Sequence, residues 1–102
     1  MGYNKAMERL EDVKKKMVPV LAANNLEFAG IFGSFARGDQ NEKSDIDLLA
    51  RFSTQKSLLD LVRIERELSE CAGRSVDLVT EGALSPYIRE QVLREIKPIY
   101  GK

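Results

Sequence analysis

Two aspartates at alternate positions of a strand-like segment constrain this chain more than any other feature of its sequence. Asp45 and Asp47 lie within residues 44–49, Ser-Asp-Ile-Asp-Leu-Leu. Because side chains alternate along a strand, we expect both carboxylates on one face of a sheet, about 7 Å apart at their Cα atoms. Aspartate is depleted in strands, where its charge needs solvent or a partner. The pair therefore indicates either a binding site or an exposed sheet face.

Asp77 adds a third carboxylate to this pattern. It lies in Ser-Val-Asp-Leu-Val-Thr, residues 75–80, which we also expect to form a strand. If the two strands are neighbours, Asp77 lies beside Asp45 and Asp47 on the same face. Three such carboxylates without a cation would repel one another and raise the pKa of at least one of them. A divalent cation would remove this repulsion, so the cluster favours a metal site over a structural role, such as edge charges that oppose aggregation.

A glycine turn lies shortly before the aspartates. Gly33 and Ser34 follow an apolar segment that is typical of a buried strand, and residues 33–38 are expected to form a turn with a stub of helix. A small-residue turn that leads into even one helical turn points backbone N–H groups into an anion site. Phosphate-binding amides beside paired carboxylates are what a metal–nucleotide complex requires. We therefore expect the functional site between Gly33 and Leu49.

Composition limits the remaining function classes. The 102 residues predict one domain, 1–102, and its 16 basic and 16 acidic residues leave no net charge to attract nucleic acid or membrane. Three consecutive lysines, Lys14–Lys16, fit a solvated helix face better than a phosphate or RNA patch.

Because the chain has no histidine, carboxylates are the expected metal ligands, and these prefer magnesium, manganese or calcium. The lone Cys71, with no apolar leader and no membrane-length apolar run, indicates a cytoplasmic protein.

Hydrophobic periodicity predicts an α+β fold in which helices back a small mixed β-sheet. An amphipathic first helix is expected from about Lys5 to Ala23, kinked or shortened at Pro19. The first two strands are close enough in sequence to pair antiparallel, whereas a helix between the second and third makes that pair parallel. The expected order is α-β-β-α-β-α, with strands at 26–32, 44–52 and 75–80. The second helix has an apolar stripe of Leu58, Leu61, Val62, Leu68 and Ala72, and the last begins at Ser85-Pro86, presents Ile88, Val92 and Ile96, and stops at Pro98.

These motifs resemble the signature of the DNA polymerase β-type nucleotidyltransferase superfamily. A Gly-Ser pair at residues 33–34, an Arg-Gly pair at 37–38 and Ser-Asp-Ile-Asp-Leu at 44–48 occur together, and Asp77 lies further on in a Val-Asp-Leu-Val strand. The shortness of the chain is similar to that of the minimal nucleotidyltransferase (MNT) branch. The resemblance covers nearly the whole chain, because the expected order of elements also matches the family's nucleotidyltransferase core.

The resemblance implies a metal site built from the three aspartates. Asp45 and Asp47 would hold two Mg²⁺ ions, with Mn²⁺ as an alternative, and one ion would also bind the triphosphate of the nucleotide. Asp77 would complete the catalytic metal site and help to deprotonate the acceptor hydroxyl. Two metal ions a few ångströms apart stabilise both the attacking and the leaving oxygen of an in-line displacement.

The resemblance also implies a phosphate site. Gly33 and Ser34 would cradle the β- and γ-phosphates through backbone N–H groups and the Ser34 hydroxyl. Arg37 would be either a phosphate ligand or the ion-pair partner of a nearby carboxylate such as Asp39. Ser44 fits a hydrogen-bonding role at the start of its strand better than a role as a ligand.

The activity implied by the resemblance is metal-dependent transfer of AMP from ATP to a hydroxyl of a protein. The expected partner is a HEPN-domain ribonuclease toxin that is modified on a tyrosine, which would make this chain its antitoxin. One alternative is an antitoxin that neutralises its toxin by binding alone, and another is a nucleotidyltransferase that acts on a small molecule. Zero net charge and the absence of an aromatic-basic stripe argue against a nucleic-acid-binding regulator.

A partner is expected to supply the acceptor, because the chain has no predicted second domain to hold a nucleobase, a nucleic acid or a drug. Water must also be kept from the activated phosphate, or ATP is hydrolysed. Apolar residues outside the helical stripes are the expected contacts with this partner, namely Phe35, Leu84 and Tyr87, although Phe35 fits a core position equally well.

Overall fold

The computed structural model describes residues 8–101. In chain order its elements are α1 (Leu10–Ala23), β1 (Leu26–Phe32), α2 (Ser34–Arg37), β2 (Ile46–Phe52), α3 (Leu58–Ala72), β3 (Val76–Thr80), α4 (Pro86–Glu95) and β4 (Lys97–Gly101). A short 3₁₀ turn at Glu81–Ala83 connects β3 with α4. The predicted α+β fold, with helices on a small mixed sheet, is confirmed.

The strands form one sheet in the order β3-β2-β1-β4. As predicted, β1 pairs antiparallel with β2, and β2 pairs parallel with β3 through the crossover helix α3. β1 also pairs antiparallel with β4. The glycine turn at Gly33 therefore leaves the end of one central strand, next to the start of the other.

β4 is not predicted from the sequence. Pro98 indicates only the end of a helix, whereas the helix ends at Glu95 and Lys97–Gly101 continues as a strand. Proline cannot donate to a strand ladder, and β4 accommodates it because this strand lies at the edge of the sheet. Ile99 is buried in the core, so the edge strand also contributes to packing.

The two faces of the sheet pack unequally. Alternate side chains of β2, such as Leu48, point towards α1 and α3 and join a large apolar cluster that includes Met17 and Leu68. The opposite face packs against α4 through a smaller buried cluster of three side chains, Leu49, Leu84 and Val92. Burial of apolar area, the main source of stability, is therefore concentrated on the α1–α3 face.

The predicted start of α1 near Lys5 lies outside the described residues. Within residues 8–101 the helix begins at Leu10, and Arg9 is its extended N-cap residue. The Arg9 N–H donates to Asp12 Oδ2 at 3.0 Å, which fixes the first turn at this point.

Of the two effects expected of Pro19, a kink or a shorter helix, the second is wrong, because α1 continues through Pro19 to Ala23. Proline removes one intrahelical hydrogen bond, here to the carbonyl of the residue four positions earlier, Lys15. Lys15 is exposed, so water can satisfy that carbonyl. None of the helices within residues 8–101 has the length and hydropathy that crossing a membrane requires.

The apolar stripe predicted for α3 is partly wrong. Leu68 and Ala72 are buried as expected, together with Ile64, which the prediction omits. Leu58 and Val62, in contrast, are 76% and 46% exposed. The buried positions recur at four-residue steps towards α1, which places Leu58 and Val62 on the flank of the helix.

The predicted start and end of α3 and the predicted start of α4 are confirmed. The Ser57 hydroxyl accepts a hydrogen bond from the Asp60 N–H at 3.1 Å, and Gly73 ends α3 in the left-handed region. Ser85 caps α4, with Pro86 as its first residue. Of the three residues predicted to pack from this last helix, Val92 is buried, Ile96 is half-buried and Ile88 is largely exposed.

Candidate active site

Asp47 and Asp77 are direct neighbours across the parallel strands β2 and β3. Strand alternation puts Asp47 on the same face as Leu49 and puts Asp77 on the same face as Val79, both of which belong to the α4 side of the sheet. The sequence-based expectation that the third aspartate lies beside the second is therefore met by the strand register.

Asp45 is placed differently from the sequence prediction. β2 begins at Ile46 rather than at Ser44, so Asp45 is the exposed residue just before the strand. A tight loop sets its position, because the Asn41 N–H donates to Ser44 Oγ at 2.9 Å and the Ser44 N–H donates back to Asn41 O at 3.1 Å. Asp45 nevertheless lines the same cleft as the other two aspartates.

An open cleft of about 700 Å³ lies between the glycine turn, the starts of β2 and β3, and α4. All six residues predicted for the site line it: Gly33, Ser34, Arg37, Asp45, Asp47 and Asp77. The lining also includes apolar side chains, namely Phe32, Val79, Leu84, Ile88 and Val92. The fold thus brings the two halves of the sequence motif into one cavity that polar and apolar side chains line together.

Gly33 is required by both its backbone conformation and its neighbour. Its φ is +79°, in a region that residues with a side chain rarely adopt. A β-carbon at this position would overlap Asp47 Oδ2. The turn therefore brings the backbone of Gly33 against the carboxylate of Asp47. The N–H groups of Ser34 and Phe35 open the single turn of α2, where helix amides lack an intrahelical acceptor.

The carboxylates of the cleft repel one another. Burial raises the pKa of Asp47 above the ordinary value for an aspartate, and the charges of Asp77 and Asp45 raise it further. Arg37 acts in the opposite direction by favouring the ionised form of Asp47. An all-oxygen donor set with excess negative charge is chemically suited to a hard divalent cation.

Among residues 8–101, no three or more acidic or cysteine side chains stand in an arrangement that could itself hold a metal ion. Metal binding by the three aspartates therefore requires a carboxylate to change rotamer or other oxygens to complete the ligand set. Magnesium sites commonly use one or two carboxylates together with phosphate oxygens of the substrate. The donor set thus fits a cation that binds together with a nucleotide.

Glu95 is a cleft residue that is not predicted from the sequence. It is the last residue of α4, and its Oε1 accepts a hydrogen bond from the Gly33 N–H at 3.0 Å. Arg37 Nη1 lies 3.3 Å from both carboxylate oxygens of Glu95, while Arg37 Nε donates to Asp39 at 3.2 Å. The ion-pair role expected for Arg37 is thus observed, with two carboxylates. The seven-residue spacing from Ile88 to Glu95 is the sequence signal that could have indicated this position.

Arg74 is a second residue that the motifs do not reveal. Its side chain is almost fully buried and pairs with the equally buried Glu8 at 3.1 Å. Arg74 Nη1 donates to Ser44 O at 2.9 Å and to Asn41 O at 3.1 Å, so it holds the loop that leads into Asp45. An arginine in front of a strand carries no recognisable pattern, and its role depends on contacts far along the chain.

Two of the three residues expected to contact a partner are unsuited to this role. Phe35 and Leu84 are buried, Phe35 in the α1–α3 cluster and Leu84 in the α4 cluster. Their side chains fill the protein interior because α2 and the 3₁₀ turn fold back onto the sheet. Tyr87 is 96% exposed on the first turn of α4 and retains the expected availability.

Comparison with known proteins agrees with this geometry. The family model of the polymerase β nucleotidyltransferases matches residues 15–102, and the chain therefore belongs to that family. A candidate protein adenylyltransferase of Methanocaldococcus jannaschii is 43% identical over 86 residues, which cover 84% of this chain and 92% of that protein. The family match spans the glycine turn, all three aspartates and the sheet that carries them.

Two solved structures narrow the relationship to the MNT branch. The structure of a candidate minimal nucleotidyltransferase is 38% identical, with a TM-score of 0.76, and the match covers 91% of this chain and 98% of that one. A toxin–antitoxin complex with AMP-PNP contains a chain that is 25% identical, with a TM-score of 0.77 and coverage of 87% and 73%. The resemblance predicted from the sequence is confirmed.

Proposed function

We propose that this protein is an antitoxin that transfers AMP from ATP to a tyrosine hydroxyl of a HEPN ribonuclease toxin. The observation that carries the proposal is the pairing of Asp47 with Asp77 in a cleft that also contains the Gly33 turn. The likeness to a toxin–antitoxin complex with AMP-PNP and to a candidate protein adenylyltransferase supports both the partner and the reaction.

The three aspartates would supply the metal ligands. Asp45 and Asp47 would hold two Mg²⁺ ions, or Mn²⁺ in their place, and Asp77 would complete the second position. When bound, the ions would neutralise the triphosphate and stabilise charge on the attacking and leaving oxygens. Burial raises the pKa of Asp47 and the charges of Asp77 and Asp45 raise it further, so a bound cation would compensate the charge of this group.

The remaining residues would position the nucleotide and move the proton. The N–H groups at Gly33 and Ser34 would bind the β- and γ-phosphates, with Arg37 as a further phosphate ligand. The tyrosine oxygen would form a bond to the α-phosphorus while the bond to the bridging oxygen breaks and pyrophosphate leaves. Asp77 would accept the phenolic proton, since it lies directly beside Asp47 on the neighbouring strand and lines the same cleft.

The partner would close the cleft. The cavity is open to solvent, and an activated phosphate in it needs protection from water. Tyr87 and Ile88, at the first turn of α4, are exposed apolar groups at this rim, and Ile88 also lines the cleft. A toxin docked there could present a flexible segment with its tyrosine to Asp77.

The test is to mix the protein with the toxin encoded beside it, together with Mg²⁺ and ATP labelled at the α-phosphate. We expect label on a tyrosine of the toxin, located by intact mass and peptide mapping. Asp77→Asn should abolish labelling. Glu42→Gln, which removes one exposed carboxylate outside the cleft, is the matched control and should label normally.

Two outcomes would contradict the proposal. A stable complex with no label under Mg²⁺ or Mn²⁺ would favour an antitoxin that acts by binding alone. Equal labelling by wild type and Asp77→Asn would remove the assigned role of the third aspartate while leaving transfer intact.

A further inference from the structure

The backbone amide that the proposed function gives to a phosphate is already engaged within the protein. The Gly33 N–H donates to Glu95 Oε1 at 3.0 Å, and Arg37 Nη1 lies 3.3 Å from each oxygen of the same carboxylate. The Glu95 side chain is only 17% exposed. A carboxylate of this chain therefore holds the two donors that the proposed function gives to a phosphate.

A carboxylate and a phosphate use the same donors. Both accept hydrogen bonds from backbone N–H groups and from arginine, and each N–H of this turn can point at only one of them. A phosphate at Gly33 would also lie beside the negative charge of Glu95 unless that side chain moved. Binding of a triphosphate and the contact of Glu95 with Gly33 therefore exclude each other.

The position of Glu95 lowers the free energy needed to move its carboxylate away from Gly33 and Arg37. It is the last residue of α4, where the negative end of the helix dipole disfavours a carboxylate. It also adds to the charges that raise the pKa of Asp47, so it repels the acidic cluster it faces. Its contacts with Gly33 and Arg37 are the attractions that hold it in place, and Arg37 keeps a second partner, Asp39, after release.

We propose that Glu95 is an internal competitor for the triphosphate, so that a nucleotide binds by displacing its carboxylate from the Gly33 amide and from Arg37. The inference rests on the proposed function and assigns Glu95 the role of setting nucleotide affinity. It also gives Arg37 both of its predicted roles in sequence, as an ion-pair partner without nucleotide and as a phosphate ligand with it.

Removing the Glu95 carboxylate changes nucleotide affinity in opposite directions for a competitor and for a ligand of the nucleotide. A cleft carboxylate that bound the nucleotide or its metal would weaken binding when removed. A competitor strengthens binding when removed, because the amide and the guanidinium are then free in advance. The expected gain is about fivefold to tenfold, the range for the net contribution of one ordinary hydrogen bond.

The test is calorimetric titration of the purified protein with AMP-PNP and Mg²⁺. Glu95→Ala should bind about fivefold to tenfold more tightly than wild type. The affinity of Glu95→Gln should lie between those of wild type and Glu95→Ala. Its amide oxygen can still accept from the Gly33 N–H, but the side chain lacks the charge that holds Arg37. Glu90→Ala removes an exposed carboxylate of the same helix outside the cleft and should bind as wild type does.

Titrations with two further ligands show which part of the nucleotide competes with Glu95. Inorganic tripolyphosphate should show the same gain in Glu95→Ala, whereas adenosine should bind wild type and variant alike. Binding of AMP-PNP by Glu95→Ala that is equal to or weaker than wild type would overturn the inference while the proposed function stands. If neither protein binds AMP-PNP, the proposed function fails and takes the inference with it.

Discussion

The face of the sheet that packs on α1 and α3 and the face that packs on α4 are built from alternate residues of the same strands. In β2, Leu48 enters the large apolar cluster, while its neighbours Asp47 and Leu49 point to the other side. The first face is filled with buried aliphatic side chains. The second has a small buried cluster and an open acidic cleft.

The unequal packing of the two faces explains how a chain of this length contains both a core and a site. Stability is concentrated where the helices cover the sheet, so the opposite face can hold mutually repelling charges. This arrangement predicts that substitutions on the two faces of the sheet impair different properties of the protein. Changes on the α1–α3 face should unfold the protein, whereas changes on the cleft face should abolish binding or transfer and leave the fold intact.

The largest expected effect is on transfer and lies on the cleft face. Asp47→Asn keeps the shape of the side chain but removes a metal-ligating charge, so labelling of the toxin should fall about a thousandfold or more. Circular dichroism should show an unchanged fold. Glu70→Gln, an exposed carboxylate on α3, is the control and should retain normal labelling. Loss of activity in both variants would mean that general charge, not the site, is responsible.

A core substitution on the α1–α3 face should break the fold instead. Leu68 is fully buried there, and Leu68→Ala should lower the free energy of unfolding by about 3 kcal/mol. Leu59 lies on the same helix but is largely exposed, so Leu59→Ala should change it by less than about 0.5 kcal/mol. Urea unfolding monitored by circular dichroism measures both, and equal losses would contradict the assignment of the core.

Substitutions in the glycine turn test whether nucleotide phosphates bind at this end of β1. Gly33→Val should weaken nucleotide binding about a hundredfold, because its side chain would overlap Asp47 and its φ is positive. Gly82 in the 3₁₀ turn has open space around it, so Gly82→Val is the control and should bind normally. Ser34→Ala should be milder than Gly33→Val, since the backbone amide remains. Normal binding by Gly33→Val would place the phosphate site elsewhere.

The smallest effect is a gain in stability without metal. The pKa of Asp47 is raised in the folded state, so its ionisation costs folding free energy as pH rises from its ordinary value, about 4, through the raised value. Asp47→Asn lacks this loss. With a chelator present, the variant should match wild type at low pH and exceed it at neutral pH by no more than about 1 kcal/mol, because the cleft is open. A less stable variant at neutral pH would contradict a pKa of Asp47 that burial and the neighbouring carboxylates raise.

Local patterns predict most of the fold. The strand at 26–32, the capping residues Ser57 and Ser85 and the parallel pairing of β2 with β3 are predictable from periodicity, turn chemistry and connection length. β4 is missed because its residues, Lys-Pro-Ile-Tyr-Gly, form a strand only through pairing with β1, which is far away in sequence. Pro98 indicates the end of a helix and does not indicate that the residues around it pair with a strand.

The candidate site likewise contains residues that the sequence predicts and residues that it does not. The spacing of Asp45, Asp47 and Asp77 predicts that they meet, and the cleft contains all three. Glu95 and Arg74 are missed because their roles depend on contacts with Gly33 and with the loop before Asp45, which no local pattern encodes. Contacts that join distant parts of the chain thus limit what the sequence predicts.

The metal dependence of nucleotide binding is the decisive test of whether the aspartate cleft is a metal–nucleotide site. Calorimetric titration with AMP-PNP should show binding to wild type that is at least about tenfold tighter with Mg²⁺ than with a chelator. Asp47→Asn should lose most of this difference while keeping its fold. Equal affinity with and without Mg²⁺, in wild type and variant alike, would contradict the assignment of the aspartate cleft as a metal–nucleotide site.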